Sequence, residues 1–209
     1  RKNRMKKIIK NCGILLLTIC LLLSAVPVSA AQTDVTSKYK NSVTKFVRVF
    51  DGFLGCAAYT TNSSFTYNDY TKTAMLLYGH NWAKFGDSVK STQKKLAPKM
   101  KYYFTSGNVR LVKSSTPYTS KHPEYIYCNL DGKVKYRGGD WGGEYPRGYV
   151  TKVVKSGSNY IVNYNVYIID EFYNTRGPLM AKYQITLKRS SGHFKFKNIK
   201  QTKLNRWYQ

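Results

Sequence analysis

Apolar and polar positions change rhythm about halfway along the chain. Over residues 34–54 the apolar side chains fall at Val35, Tyr39, Val43, Phe46, Phe50 and Phe53, and steps of three and four trace one face of an α-helix. Asp34 stands before the stripe as an N-cap, its carboxylate able to accept from the free amides of the first turn. Gly52 and Gly55 offer stopping points. The same spacing predicts a second helix over 68–78, with Tyr70, Ala74, Leu77 and Tyr78 inward and Gly79 at its end. A third begins near Asp87, carries Val89 and Leu96, and is interrupted at Pro98, which lacks the N–H that a helix interior needs.

In the second half the period is two. Residues 125–128 and 134–136 flank an Asp131-Gly132 turn, a hairpin signal. Strands follow over 149–155, beginning after Gly148, and over 160–169, with Tyr160, Val162, Tyr164, Val166 and Ile168 on one face. Residues 170–178 read as a loop because Gly177-Pro178 is a strong breaker. Residues 179–188 alternate most cleanly: Leu179, Ala181, Tyr183, Ile185 and Leu187 against Met180, Lys182, Gln184, Thr186 and Lys188. A last strand, 193–200, points Phe194 and Phe196 one way and loses parity at Ile199, which predicts a bulge or a strand end. Short turns between these strands require an antiparallel meander. Helices first and strands second give an α+β class, with N-terminal helices packed on one face of a curved antiparallel sheet.

The first thirty residues stand apart. Lys6, Lys7 and Lys10 follow Met5, which reads as the start; residues 13–26 are apolar without charge; and Val28-Ser29-Ala30 supplies small residues after Pro27. That order is a secretory signal peptide, too short for a membrane span of roughly 20 apolar residues. Cys20 raises a lipoprotein reading, which bulky Ile19 and the apolar run beyond the cysteine oppose. Residues 31–209 are then a single exported domain, secreted or associated with the cell envelope. The leader holds six of the chain's 35 Lys and Arg and none of its 10 Asp and Glu, so the remainder carries 29 basic against 10 acidic side chains, a net of +19. Such a charge favours encounters with anionic surfaces. Outside the cell those are wall polymers, acidic glycans or lipid headgroups rather than nucleic acid.

Candidate chemistry is sparse. Cys56 and Cys128 can close a disulfide in an oxidising compartment, worth roughly 4 kcal/mol on chain-entropy grounds. They can equally be two buried thiols. His80, His122 and His193 lack metal-ligand spacing, no nucleophile elbow or phosphate-cradling loop occurs, and no cofactor or metal is expected. The most unusual segment is 137–148, RGGDWGGEYPRG. There Trp141 and Tyr145 can stack on a sugar or headgroup while Asp140 and Glu144 accept its hydroxyl hydrogens; a plain turn with Trp141 plugging one end of the sheet explains the same residues. The tail 203–209 mixes cations with aromatics in a composition suited to a membrane surface or acidic polymer.

Two stretches carry a resemblance: Gly139-Asp140-Trp141-Gly142-Gly143-Glu144 through Gly148-Tyr149-Val150-Thr151-Lys152-Val153, and Lys182-Tyr183-Gln184-Ile185-Thr186-Leu187-Lys188 with Phe196-Lys197-Asn198-Ile199-Lys200. They resemble an uncharacterised group of secreted proteins of Gram-positive gut bacteria, and the element order resembles the NTF2-like (cystatin-like) cone. The resemblance implies a helix-covered curved sheet and no particular activity, because that cone hosts enzymes, binding modules and adaptors alike. Three functions remain open. The first is a noncatalytic module binding anionic envelope polymer or membrane surface. The second is a small-molecule carrier or enzyme using the cone interior, and the third is an effector or adhesin.

Overall fold

Four long C-terminal strands form the frame on which the rest of the chain is laid. The computed structural model describes residues 31–60, 66–80, 87–114, 127–136 and 143–205. All of these but Ala31 fall in one compact unit, Gln32–Gln209. Strands β5 (Glu144–Ser156), β6 (Asn159–Asp170), β7 (Thr175–Ser190) and β8 (His193–Leu204) pair antiparallel in sequence order, and β1 (Gln32–Asp34) adds to the outer edge of β5. The expected meander is therefore present, with longer strands than the breakers suggested.

Each misplaced boundary has a local cause. Gly177 and Pro178 do not end a loop. They lie inside β7 where Ile168 faces the gap between Arg176 and Leu179, an irregularity in the ladder. A proline without a donor is tolerated at a bulge, and among the described residues none of β8 pairs with this part of β7. Gly148 does not start β5 but sits within it, since a Cβ there would lie 2.1 Å from the Tyr164 ring. The parity slip near Ile199 is a true irregularity. Leu187 pairs with Phe196 and Thr186 with Asn198, so Lys197 is extra and Ile199 turns inward beside Ile185.

The helical stripe over 34–54 is carried by two helices, α1 (Thr36–Arg48) and α2 (Asp51–Thr60), and it survives the break: Val43, Val47, Phe50, Phe53 and Leu54 are all buried. Asp34 is not the N-cap. Its backbone is held in β1 opposite Val154, and Val35 takes the cap position. The Asp34 carboxylate still accepts from the Thr36 amide at 2.9 Å. Next come α3 (Asp69–His80) and α4 (Val89–Tyr103). Pro98 does not interrupt α4: it lies on the exposed side, where the carbonyl it leaves unmatched can face solvent.

The helices cover one face of the meander. Between them lie Tyr39, Phe46, Phe50, Phe104, Tyr160, Phe194 and Phe196; the Phe46 and Phe196 rings stack at 4.9 Å, and Phe50 meets Phe196 edge-on at 5.3 Å. Burying each such ring contributes about 2 to 3 kcal/mol. A small second sheet, β2 (Val112–Lys113), β3 (Tyr127–Leu130) and β4 (Lys133–Tyr136), is mixed, with β2 parallel to β3. Its predicted hairpin turns through Asp131 and Gly132, both at positive φ. It docks on the start of α4 through Val89 N–H to the Gly132 carbonyl and Val134 N–H to the Asp87 carbonyl, both 2.7 Å.

Candidate functional site

The loop singled out in the sequence is only partly placed. Asp140 and Trp141 lie outside the described residues. Glu144 and Tyr145 open β5, where strand alternation sends them to opposite faces: Glu144 pairs across to Asp170, and Tyr145 shares its face with Arg147, whose guanidinium sits 5.1 Å from the Tyr145 ring. Cys56 and Cys128 are not joined to each other, and each thiol has its own partner. Cys56 donates to the Tyr78 hydroxyl at 3.2 Å, in the helical core, and Cys128 to the Ser114 carbonyl at 3.6 Å, beside the small sheet. Burial pushes both thiols above their ordinary value, which disfavours the reactive thiolate. Among the described residues no three His, Cys, Asp or Glu side chains come together as metal ligands.

Inside the fold, the perturbed acid is Asp51. It opens α2 and is 5% exposed. One carboxylate oxygen accepts from the Gly148 amide at 2.8 Å, and the other accepts a short hydrogen bond from the Tyr164 hydroxyl. Burial raises its pKa, against the opposing pull of those two donors and of Arg48 and Arg147. The arrangement serves an edge. Among the described residues no strand lies beside residues 144–153 of β5, and outward N–H groups there are met by other means: Asp51 takes that of Gly148 and the Thr36 hydroxyl takes that of Val153, while Pro146 has none. Nearby, the Tyr183 hydroxyl donates to the Leu54 carbonyl at 2.7 Å. The sequence held a clue to this acid, because Asp51 falls four residues after buried Val47 and three before buried Leu54.

The face of the meander turned away from the helices has a different character. The ladder sets Arg147 beside Tyr167, Tyr149 beside Asn165, Lys152 beside Asn163, and carries the last two rows on through Lys182 to Lys203 and through Gln184 to Lys200. Arg176 lies on the same face, its guanidinium 4.9 Å from the Tyr167 ring and 5.7 Å from the Tyr149 ring, with the two rings edge-on at 5.8 Å. Lys188 completes the set at the far end. No Asp or Glu occupies an outward position on β5 to β8 in these rows. Among the described residues the ion pairs are Lys72–Asp69 and Lys95–Asp87, neither on this face. The alternation of β7 exposed Lys182, Gln184 and Lys188 to sequence reasoning. Arg147, Tyr149, Tyr167 and Arg176 escape it, because tyrosines occupy both faces of β6 and the Gly177-Pro178 breaker places Arg176 in a loop.

No family model, no curated protein and no solved structure matches the chain.

Proposed function

We propose that the chain is a noncatalytic exported module that holds anionic envelope or extracellular material on the open face of its meander. The observation that carries this reading is the gathering of Arg147, Lys152, Arg176, Lys182, Lys188, Lys200 and Lys203 on one sheet face, where the acid set against them among the described residues is Asp34 on the short edge strand β1, whose charge acts on Lys152. Edge protection accounts for part of the charge, since β8 ends the sheet and lysines along an edge strand discourage pairing with another chain. It does not account for Lys182 and Lys188, which lie on β7 between two neighbours. The leader over residues 1–30 and the basic domain over 31–209 belong to this proposal, as does an NTF2-like cone, which the ladder irregularities in β5, β6, β7 and β8 favour by bending the strands.

A small-molecule site inside the cone is less well supported. It needs a perturbed acid facing a cavity, and Asp51, which is perturbed, has both oxygens engaged by Gly148 and Tyr164. Among the described residues no helix is long and apolar enough to cross a membrane. The test is retention of residues 31–209 on immobilised polyanion across a salt series. The reading expects retention at low ionic strength that weakens steeply as screening shortens the reach of the charges. Absence of retention at low salt would overturn it.

A further inference from the structure

The cations on the open face are not equivalent. Most are lysines on exposed stems, but Arg176 is seated on two tyrosines and Arg147 on a third, all at the end of the face nearest the β6–β7 turn. Seating a guanidinium over ring faces fixes its position while leaving its in-plane N–H fork available, and that fork matches a planar carboxylate in two parallel hydrogen bonds. Among the described residues neither arginine makes an ion pair.

The adjoining side chains add a second requirement. Asn165 shares the face with Tyr149 and Tyr167, its amide 3.4 Å from the Tyr167 hydroxyl, and Asn163 and Gln184 continue inward along the sheet. Neutral amides both donate and accept, which suits hydroxyl groups. A polymer of bare phosphates has no hydroxyl to give their carbonyl oxygens. A bilayer surface fits less well still, because the exposed Phe172 and Tyr173 at the turn are accompanied by Asp170 and Glu171 where headgroups would call for cations.

We infer that the Arg147–Tyr149–Tyr167–Arg176 end of the open face is a binding subsite for an acidic polysaccharide whose sugar rings carry carboxylates. The arginines take the carboxylate, Asn163, Asn165 and Gln184 take ring hydroxyls, and the lysines beyond supply charge without geometry. This rests on the polyanion reading above and specifies its ligand.

The experiment measures binding of residues 31–209 to polygalacturonate, to inorganic polyphosphate, to neutral dextran and to phosphatidylglycerol vesicles at one ionic strength. Arg176→Gln, Arg176→Lys and Lys188→Gln are the variants, each checked for an unchanged thermal transition. Arg176→Gln is expected to weaken polygalacturonate binding roughly tenfold or more, the scale of a charged hydrogen bond. Arg176→Lys keeps the charge but loses the fork, and is expected to lose most of that affinity while leaving polyphosphate binding within about twofold. Lys188→Gln should act on both polymers alike and weakly. If Arg176→Lys binds polygalacturonate as the parent does, or if vesicles are bound in preference to polygalacturonate, the subsite is wrong while the polyanion reading stands. If none of the anionic partners is bound, the polyanion reading falls with it.

Discussion

The two faces of the meander are made by the same strands, residue by residue in alternation, yet they obey different rules. On the inner face the large buried polar groups are committed, while the His193 ring, its Nε2 without a hydrogen-bond partner among the described residues, is held by stacking on Tyr102. Tyr164 and Tyr183 are buried and donate to Asp51 and the Leu54 carbonyl, and Gly148 leaves room for the Tyr164 ring. On the outer face Arg176 rests on two tyrosine rings with no ion pair among the described residues, and exposed lysines stand beside neutral amides. A buried polar group without a partner costs 1–3 kcal/mol or so, so the inner face cannot hold chemistry in reserve. Only the outer face can, because solvent meets its unpartnered groups until a ligand replaces it.

The contrast predicts where substitutions will matter. The largest loss of stability is expected from Phe196→Ala, which removes the ring stacked on Phe46 and edge-on to Phe50, about 4 kcal/mol by urea unfolding. Gly148→Ala follows. Its methyl would meet the Tyr164 ring at 2.1 Å and disturb the amide held by Asp51, and about 3 kcal/mol of destabilisation is expected despite so small a change.

The pH response separates the faces as well. Asp51 titrates above its ordinary 3.8 in the folded chain because burial disfavours its charge. The folded state therefore holds this proton more tightly than the unfolded one. The Asp51 contribution to stability falls as pH rises from 3.8 through the raised folded value, then levels. Asp34, fully exposed, has the opposite sign. The Thr36 hydrogen bonds hold it below 3.8, so its contribution is present above that value and fades as pH falls through the folded one. Urea midpoints across this range should show the Asp51 trend in the parent and lose it in Asp51→Asn. An unchanged slope in Asp51→Asn would contradict the assignment. The smallest effect on stability is expected at Lys182→Ala, within about 0.5 kcal/mol, as for an exposed position with no partner to lose. A loss several times larger would mean that this face is part of the fold's support.

Most of the frame was legible along the chain. Period-two alternation located all four long strands, and the parity slip at Ile199 foretold the extra residue at Lys197. What misled were residues whose meaning depends on a distant partner. Gly148 looks like a strand start until the ring of Tyr164 is laid against it, and Pro178 looks like a stop until Ile168 is seen opposite the gap it fills. The candidate site fared worse for a related reason. A glycine-rich run with Trp141 attracts notice, whereas Arg147 and Arg176, far apart in sequence, become neighbours only through the β5–β6–β7 register.

The central claim, one face for the fold and the other for an anionic ligand, is tested most directly by mapping backbone amide chemical shifts of residues 31–209 during titration with polygalacturonate. The account predicts perturbations concentrated on the outward residues of β5, β6 and β7 around Arg147, Tyr167, Arg176 and Lys182, with the α1 and α2 amides unmoved. Shifts centred on the helices, or none at low salt, would contradict it.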